Sequence, residues 1–527
     1  MSGWAPILAA ARTERERFAR ACEEPRAAQA WLLRRILAEN ADCPFGRAHA
    51  FADIETVETF RTSVPIRDYE GLRPWIERDA ETATGVPNPN LKEARSILTT
   101  APIVAFEETG GSTSGPKLIP YTQAGLAAFR DAVLPWLGDL AHERPRTFAG
   151  RAYVAISPVA RSPRTTAGGI PIGLASEGAY LGHELAQAFA SVLAVPVDVA
   201  QVQDIDQWRF LTLRHLLAAD DLTFISVWSP TFLIGLMEAL PALAMPLLMA
   251  LREDGADRVR LRAISTALSR APIDTQMLWP RLTTISAWAD GASRGYALRL
   301  QELFPHAQLQ PKGLLATEGA VTLPWQGGAV PALMSAVLEF IDENGNALLC
   351  DELHEGEGYR VVMTTPGGLY RYDLGDRVRC VGHIGALPRL EFVGRAGVAT
   401  DIVGEKLSED FVGAALDHVG GTSCPVACLA ARATTTPFYE LLVDAAPDAD
   451  LQPHAVRIEE RLRANPQYAY ARELGQLGPV KPRAVARLLD RYTRLQAQRG
   501  CRLADIKPPV LIGDGAAYDA LIGANAP

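Results

Sequence analysis

The residues of this chain best suited to chemistry lie at positions 107–120, in the segment Glu-Glu-Thr-Gly-Gly-Ser-Thr-Ser-Gly-Pro-Lys-Leu-Ile-Pro. Its glycines can take positive φ angles and let backbone N–H groups converge on an anion, while hydroxyl side chains add donors and a lysine adds a point charge. The segment therefore predicts a loop that binds phosphate. The candidate ligands are Thr109, Gly110, Gly111, Ser112, Thr113, Ser114, Gly115 and Lys117.

Two other interpretations of this loop compete with phosphate binding. The spacing from Gly110 to Gly115 matches a Walker motif, but Pro116 separates the second glycine from the lysine. Leu118 also stands where that motif needs a hydroxyl for Mg²⁺, which disfavours a Walker NTPase. Taken alone, the run is equally consistent with a flexible linker. Two downstream segments argue against a linker.

The first of these segments, Lys312 to Gly319, has the pattern of an apolar strand that ends in a Thr-Glu-Gly turn. In a site that already holds polyphosphate, Glu318 can ligate Mg²⁺ and Thr317 can form a hydrogen bond with the α-phosphate. For the segment alone, a solvent-facing turn is the competing interpretation.

The second segment runs from Leu369 to Asp376 and is followed by Phe392-Val393-Gly394-Arg395. A carboxylate can accept hydrogen bonds from both hydroxyls of a ribose, which makes Asp376 a candidate for nucleotide binding. Arg395 can pair with phosphate or ribose oxygens nearby. Taken alone, Asp376 is also typical of a hairpin turn.

Length and composition indicate a globular protein with small-molecule partners. The 527 residues allow about three domains, and 48% of them are apolar. The net charge of −9 and the dispersed arginines argue against nucleic acid or a membrane surface as partner, and no obligate protein partner is indicated. Seven scattered cysteines and a charged N-terminal helical pattern without an apolar signal predict a cytoplasmic protein.

The elements that must position these residues alternate between helices and strands. Apolar spacing predicts a pair of N-terminal helices between Trp4 and Ala38, broken near Glu24-Pro25. Further along, an α/β pattern is predicted. Its strands are expected at 153–156, 222–227 and 282–288, and its helices at 205–219, 231–250 and 291–304.

One apolar stretch, residues 231–251, is long enough to cross a membrane. It contains Glu238, Pro241 and Pro246, and a carboxylate and two prolines are costly in lipid. We therefore expect two short buried helices separated at Pro241, not a membrane span.

From residue 336 onward the pattern changes to short strands, expected at 337–341, 359–363, 377–381 and 390–393. This predicts a β-rich subdomain at 336–396 within a large N-terminal domain, residues 1–396. Gly397 is a plausible hinge, and the patterns beyond it predict a separate small α+β domain at 397–527.

In their order and separation, these motifs resemble the adenylate-forming superfamily of acyl-CoA synthetases, adenylation domains and luciferases. Connecting segments are similar to the Gretchen Hagen family of acyl acid amido synthetases. The similar segments are Val64 to Glu70, Ile225 to Leu233, Leu278-Trp279-Pro280, Ile285 to Trp288 and Ile506 to Pro509.

The resemblance implies an α/β adenylate-forming fold, with a large N-terminal domain of β-sheets flanked by helices and a small mobile C-terminal domain. It also implies a ligase that uses ATP and Mg²⁺. The carboxylate of an acid attacks the α-phosphate to give acyl-AMP and pyrophosphate, and an amine then displaces AMP to form an amide. An amino acid or an amino-bearing metabolite is the implied amine.

The resemblance also implies residue roles. Thr109 to Lys117 would hold the β- and γ-phosphates, Glu318 the metal, Thr317 the α-phosphate and Asp376 the ribose. Arg395 would sit at the domain junction. Lys507 matches the family's C-terminal lysine, which neutralises charge during adenylation, although an exposed lysine before two prolines is an equally simple interpretation.

There are two departures from the family pattern, the first affecting a hydroxyl donor of the phosphate loop and the second affecting substrate choice. Gly110 occupies a position that is usually serine, and Glu177-Gly178 is atypical near the acyl pocket. Tyr180, Trp228 and Trp288 are candidate pocket walls, each also compatible with plain core packing.

Two alternative functions stay open at this point. A thioester could form on CoA or a carrier protein after the same adenylation, or the chain could bind nucleotide without catalysis. Neither the acid nor the amine can be identified from the sequence.

Overall fold

The computed structural model describes residues 3–82, 96–109, 117–155, 164–174, 182–395, 399–417, 426–434 and 436–523. Its helices are α1 Ala5–Glu23, α2 Pro25–Asn40, α3 Pro44–Ala48, α4 Val57–Ser63, α5 Tyr69–Thr82, α6 Gln123–Glu143, α7 His183–Val192, α8 Ile205–Ala218, α9 Pro230–Glu253, α10 Arg258–Leu268, α11 Thr275–Leu278, α12 Arg294–Leu303, α13 Glu409–Asp417, α14 Gln452–Leu462, α15 Pro466–Glu473, α16 Leu488–Gln498 and α17 Gly515–Ile522.

The strands of the first two-thirds of the chain are β1 Ile103–Thr109, β2 Lys117–Thr122, β3 Arg151–Val154, β4 Arg164–Thr165, β5 Pro171–Ile172, β6 Leu222–Ser226, β7 Thr284–Ala287, β8 Gln308–Pro311, β9 Leu315–Ala316, β10 Gly319–Ala320, β11 Thr322–Trp325, β12 Gly328–Pro331 and β13 Val337–Ile341. They are followed by β14 Ala347–Leu348, β15 Gly358–Thr364, β16 Tyr372–Ile384, β17 Leu387–Arg395, β18 Ala399–Thr400, β19 Leu407–Ser408, β20 Ala427–Arg432, β21 Phe438–Val443, β22 Lys481–Ala484 and β23 Leu511–Ile512.

The chain divides into two compact units, each built from three separate segments. Unit 1 comprises Met1–Ala149, Arg161–Val192 and Lys312–Val393. Unit 2 comprises Gly150–Ala160, Leu193–Pro311 and Gly394–Pro527. The predicted domain limits at 1–396 and 397–527 stay a prediction.

Unit 1 begins with the predicted pair of N-terminal helices. Helix α1 ends at Glu23 and α2 begins at Pro25, where proline is tolerated because the first helical N–H has no partner inside the helix. Buried Phe18 packs edge-on against Trp325, with ring centres 4.9 Å apart. The predicted break near Glu24-Pro25 is confirmed.

The sheets of unit 1 position the motif residues. One sheet has the order β2-β1-β5-β4, and its β1–β2 pair is antiparallel. A second, with the order β14-β13-β15-β16-β17, contains the four strands expected between 337 and 393. From Tyr372 to Gly382, β16 alternates buried and more exposed residues, as a strand with one face on the core does.

Unit 2 contains a parallel sheet with the order β3-β6-β7-β8. Every residue of β6 and β7 is buried, as in parallel strands that are covered on both faces. Helices α8, α9 and α12 connect these strands, so the predicted α/β pattern is confirmed. A second sheet, β22-β21-β20-β23, belongs to the C-terminal part of the unit.

The predicted break at Pro241 is wrong. Helix α9 runs without interruption from Pro230 to Glu253, with Pro241 and Pro246 inside it. Proline removes one helical hydrogen bond, but buried leucines on both sides of the prolines hold the two halves in one helix. By length and composition α9 could cross a membrane, and 39% of its most apolar window is buried inside the fold.

Candidate active site

The predicted Thr-Glu-Gly turn is a tight hairpin in unit 1. Strands β9 and β10 pair antiparallel, with Ala316 opposite Gly319, so Thr317 and Glu318 form the turn between them. Glu318 is only 7% exposed, and the hydroxyl of Tyr372 donates to its Oε1 at 3.2 Å. The solvent-facing turn considered from the sequence is therefore wrong for Glu318, because its carboxylate is held inside the fold.

The backbone of the same turn is held from the strand that follows the predicted phosphate loop. The hydroxyl of Tyr121, on β2, donates to the carbonyl oxygen of Thr317 at 2.8 Å. This hydrogen bond fixes the position of the Thr317 backbone relative to β2. The exit of the loop and the Thr-Glu turn are thus parts of one local assembly.

The two ends of the predicted phosphate loop are described, and its centre is not. Strand β1 ends at Thr109 and β2 begins at Lys117, and these two residues face each other in the ladder. Gly110, Gly111, Ser112, Thr113, Ser114 and Gly115 lie outside the described residues. Residues 107–109 and 117–120, expected to belong to the loop, are strand instead.

Tyr69 anchors the first residues of β2. Its hydroxyl accepts a hydrogen bond from the backbone N–H of Leu118 at 3.0 Å. The Nζ of Lys117 lies 5.4 Å from the centre of the Tyr69 ring, within cation–π range. Burial raises the pKa of the Tyr69 hydroxyl, so this group stays neutral. The ring of Tyr69 therefore packs against the Lys117 ammonium group at the end of the predicted loop.

Asp376 lies within β16, four residues after Tyr372, and is 5% exposed. The hairpin-turn alternative is wrong, because Asp376 is part of a long strand. Between Asp373 and Arg377 the register of β16 against β15 shifts and Gly375 has a φ of 76°, and both Tyr372 and Asp376 are buried on either side of this irregularity. Since Tyr372 bonds Glu318, the proposed ribose and metal ligands are connected through one strand.

A buried ion pair supports the start of this strand. Arg371 donates to both carboxylate oxygens of Glu339, at 2.9 and 3.1 Å, and the two residues are 5% and 2% exposed. Arg61 also donates to Glu339, at 2.9 Å. Bidentate guanidinium–carboxylate pairs are geometrically specific, so this pair sets the position of the residue that follows, Tyr372.

Sequence reasoning missed the roles of the tyrosines at positions 69, 121 and 372. Tyr372 stands inside the quoted Tyr-Arg motif, and Tyr121 follows the phosphate loop directly, so a hydroxyl-bearing aromatic beside each motif was the available signal. The partners could not be predicted, because Tyr372 and Glu318 are 54 residues apart.

The remaining predicted residues lie in other parts of the chain. Arg395 is the last residue of β17, and Lys507 is exposed beside buried Ile506 in unit 2. Trp228 and Trp288 follow the parallel strands β6 and β7. The backbone N–H of Trp288 donates to the backbone carbonyl oxygen of Trp228 at 2.9 Å. Their roles stay predictions. Tyr180, Glu177-Gly178 and the proposed hinge Gly397 fall outside the described residues.

Glu318 has the chemistry of a ligand for a metal that arrives with phosphate. In the described part of the chain, no group of three or more histidine, cysteine, aspartate or glutamate side chains is placed to hold an ion. Mg²⁺ is commonly bound by one or two carboxylates together with substrate phosphates, not by a protein cage. The buried carboxylate of Glu318, joined through Thr317 and Tyr121 to the strand that follows the predicted phosphate loop, fits that mode.

Comparisons with known proteins agree with this arrangement. The GH3 family N-terminal domain matches residues 14–309, and the GH3 family central domain matches residues 330–395. A probable indole-3-acetic acid-amido synthetase, GH3.12 of Oryza sativa subsp. japonica, is 24% identical over 76% of this chain and 74% of its own length. Jasmonoyl-L-amino acid synthetase JAR6 of Nicotiana attenuata is 25% identical over 72% of this chain and 70% of its own.

Solved structures give the fold. The GH3.15 acyl acid amido synthetase superposes with a TM-score of 0.82 at 19% identity, covering 96% of this chain and 95% of its own. A 2-hydroxyisobutyryl-CoA ligase in the postadenylation state superposes with a TM-score of 0.52 at 14% identity, covering 94% of this chain and 90% of its own. The adenylate-forming fold predicted from the motifs is confirmed.

Proposed function

The chain belongs to the GH3 family, and on this premise we propose that it is an ATP-dependent acyl acid amido synthetase. Its substrates are a small-molecule carboxylic acid and an amine, either an amino acid or an amino-bearing metabolite. The names of the related plant enzymes, which describe the joining of acids to amino groups, support this assignment.

The proposed reaction has two steps. A carboxylate oxygen of the acid attacks the α-phosphorus of ATP, and the bond to the β-phosphate breaks to release pyrophosphate. The amine nitrogen then attacks the carbonyl carbon of the acyl-AMP, AMP leaves, and the amine loses a proton as the amide forms. Anhydride formation activates the acid, because AMP is a far better leaving group than hydroxide.

We assign the nucleotide to residues of unit 1. Lys117 and the loop before it would bind the outer phosphates, Thr317 the α-phosphate and Asp376 the ribose hydroxyls. Glu318 would hold Mg²⁺, which neutralises phosphate charge when bound. Lys507 remains the proposed cation that offsets charge at the α-phosphate.

One observation carries the assignment most directly. The buried Glu318 carboxylate is oriented by Tyr372, which lies on the same strand as Asp376, while Tyr121 joins Thr317 to the strand that follows the predicted phosphate loop. Three segments far apart in sequence are thereby connected in one unit, as a site that grips a single nucleotide requires.

Acid-dependent pyrophosphate release tests the proposal. An acid panel with ATP, hydroxylamine trapping and mass spectrometry with candidate amines should identify an acyl hydroxamate and then an amide. Glu318→Gln and Asp376→Ala should lower the rate by about 100-fold or more. Glu343→Gln, on an exposed turn of the same unit, is the matched control and should keep the wild-type rate.

The same experiment separates the alternatives. Product that appears only with CoA or a carrier thiol would support thioester formation instead of an amide. ATP binding by calorimetry without any acid-dependent turnover would support a catalytically inactive nucleotide-binding protein. Full activity in both site variants would contradict the assignment of Glu318 and Asp376.

A further inference from the structure

Unit 2 contains an open cavity of about 1210 Å³, and none of the residues assigned to the nucleotide lines it. Residues of helices α8, α9 and α12 form one side, and residues between 426 and 506 form the other. A cavity of this size can hold a small-molecule ligand. Its lining combines apolar and charged side chains, so the chemistry of a ligand can be argued from both.

Aromatic and aliphatic side chains form the apolar part of the lining. Trp208 on α8 and Phe232 on α9 are buried, with ring centres 5.4 Å apart. Leu236 follows Phe232 by one helical turn and is also buried, whereas Leu298 on α12 is 62% exposed. A ligand with an apolar body is favoured here, because covering Leu298 would remove hydrocarbon surface from water.

Gly235 leaves space in the lining on the α9 side. It lies inside the helix and faces the cavity. A Cβ atom at this position would have no atom within 4 Å beyond the neighbouring helix backbone, and the residue has no left-handed φ. Glycine inside a helix is less stable than alanine, and neither packing nor backbone conformation requires it here. A ligand that packs against the α9 backbone gives this glycine a role.

The cations that line the cavity are already paired. Arg209 and Arg487 donate to Asp490 at 2.6 and 2.7 Å. Arg299 donates to Glu238 at 2.7 Å. Each guanidinium group of the lining therefore has a carboxylate partner, which disfavours an anionic ligand.

The carboxylates of the lining exceed these cations. Asp444 and Glu302 also line the cavity, and neither forms an ion pair within the described part of the chain. Oδ1 of Asp444 accepts a hydrogen bond from the backbone N–H of Arg487 at 3.0 Å. Burial raises the pKa of Asp444, although backbone N–H groups at the start of α16 lower it. Burial also raises the pKa of Glu238, and the negative charge of Asp444 adds to this effect. A bound cation would offset both effects.

We propose that this cavity binds a small primary amine with an apolar body. The ammonium group pairs with the carboxylates of Asp444 and Glu238, and the hydrocarbon part lies against Phe232, Leu298 and the α9 backbone at Gly235. A purely apolar ligand would leave the carboxylates without a cation. The inference concerns binding alone and does not rest on the proposed reaction.

Two probes of equal size test the ligand class in titrations without ATP. Hexylamine and hexan-1-ol share one apolar chain, and only the amine is charged at pH 7. Wild type should bind hexylamine about 10-fold more tightly than hexanol, because hydrogen bonds between charged groups are the stronger ones. Absence of saturable hexylamine binding, or equal affinity for the two probes, would overturn the proposal.

Asp444→Asn tests the charge alone. Asparagine keeps an oxygen that accepts from the N–H of Arg487 and is as good a residue as aspartate at the start of a helix, so the fold should be retained. Hexylamine affinity should fall about 10-fold, and hexanol affinity should not change. Asp448→Asn, on an exposed turn outside the lining, is the matched control and should bind as wild type. Wild-type hexylamine affinity in Asp444→Asn, or an equal loss in Asp448→Asn, would overturn the proposal.

Gly235→Leu tests the space alone. Leucine favours the helix, so the melting temperature without ligand should equal or exceed that of wild type, while both probes should bind about 10-fold more weakly. Gly413→Ala, on α13, is the matched control, because its Cβ would lie 3.8 Å from Val510 Cγ1, an ordinary contact. It should keep wild-type affinity for hexylamine. Undiminished binding in Gly235→Leu would place the amine elsewhere and overturn the proposal, and if this variant fails to fold, Asp444→Asn decides the question.

The inference and the proposed function fail on different measurements. Absence of acid-dependent pyrophosphate release would contradict the function without changing any hexylamine affinity. Amine binding that neither Asp444→Asn nor Gly235→Leu weakens would contradict the inference without affecting the proposed reaction.

Discussion

The hydroxyl of Tyr372 donates a hydrogen bond to Oε1 of Glu318, joining β16 to the β9–β10 hairpin across 54 residues of sequence. Both side chains are buried, so the bond is shielded from water. It holds the Glu318 carboxylate in one orientation before any nucleotide binds. The pair is the most direct link between two of the predicted motifs.

Removing this hydrogen bond should weaken Mg²⁺ binding more than it lowers the stability of the fold. In Tyr372→Phe the ring still fills its place, but Glu318 loses its orienting donor, and groups of this kind contribute about 10–100-fold to metal affinity or activity. We expect the Mg²⁺ concentration for half-maximal pyrophosphate release to rise by that factor. Tyr470→Phe, at a residue 62% exposed, should behave as wild type. An unchanged Mg²⁺ requirement in Tyr372→Phe would contradict the orienting role.

The Arg371–Glu339 pair should matter for stability. Arg371→Met leaves the Glu339 carboxylate buried with fewer partners, and breaking a buried pair in this way costs about 3–5 kcal/mol. Denaturant unfolding measures this loss, and the double variant Arg371→Met with Glu339→Leu should recover part of it. Arg379→Met removes an exposed pair with Glu391 and should cost about 1 kcal/mol or less. Equal losses for both arginines would show that burial does not set the cost.

Lys312 is 6% exposed, and its Nζ lies 4.7 Å from the centre of the Trp136 ring. Replacing Lys312 should change how the melting temperature depends on pH. Its folded pKa of about 7 lies below its ordinary value of 10.5, so folding disfavours the protonated form. The penalty is complete below pH 7, at most about 5 kcal/mol, and disappears as the pH rises toward 10.5. The melting temperature of Lys312→Met relative to that of wild type should therefore be higher at pH 6.5 than at pH 9.5. A difference between the two proteins that is independent of pH, or larger at pH 9.5, would contradict this account.

The contribution of Asp131, on α6, to stability should depend on pH in the opposite direction. Burial raises its pKa to about 6, although Arg17 lies 3.8 Å away and lowers it. A raised carboxyl pKa gives stability that is complete below the unfolded value of 3.8 and is lost as the pH rises through 6. Asp131→Asn should therefore raise the melting temperature at pH 7.5 and have little effect at pH 4. A larger gain at pH 4 than at pH 7.5 would reverse the sign and contradict the burial argument.

Local sequence patterns predicted much of this fold, but they could not predict contacts between residues far apart in the chain. The helix break at Pro25 follows from proline stereochemistry, and the fully buried strands follow from their β-branched, aromatic and other apolar residues. The continuity of α9 through Pro241 did not follow, because packing of leucines on both sides outweighs the lost hydrogen bond. Local signals are set by neighbours in sequence, whereas this outcome depends on what the rest of the chain buries.

The candidate site divides in the same way. Residue types made Lys117, Thr317, Glu318 and Asp376 candidates, since phosphate, metal and ribose chemistry requires such groups, and their roles stay predictions. The tyrosines that orient them were not identified, because each partner lies far away in the chain. The burial of Lys312 was equally hidden, since its sequence neighbours do not include Trp136. The roles of Arg395 and Lys507, the domain limits and the cytoplasmic location stay predictions.

The hydrogen bond from Tyr121 to Thr317 requires a fixed number of residues between Lys117 and Tyr121 on β2. Side chains alternate between the two faces of a strand. Deleting a single residue between Lys117 and Tyr121 would therefore place the Tyr121 hydroxyl on the opposite face and break its hydrogen bond to Thr317. Insertions and deletions among relatives should therefore avoid this stretch of four peptide bonds and accumulate elsewhere. Spacing there, more than side-chain identity, is what natural variation is expected to preserve.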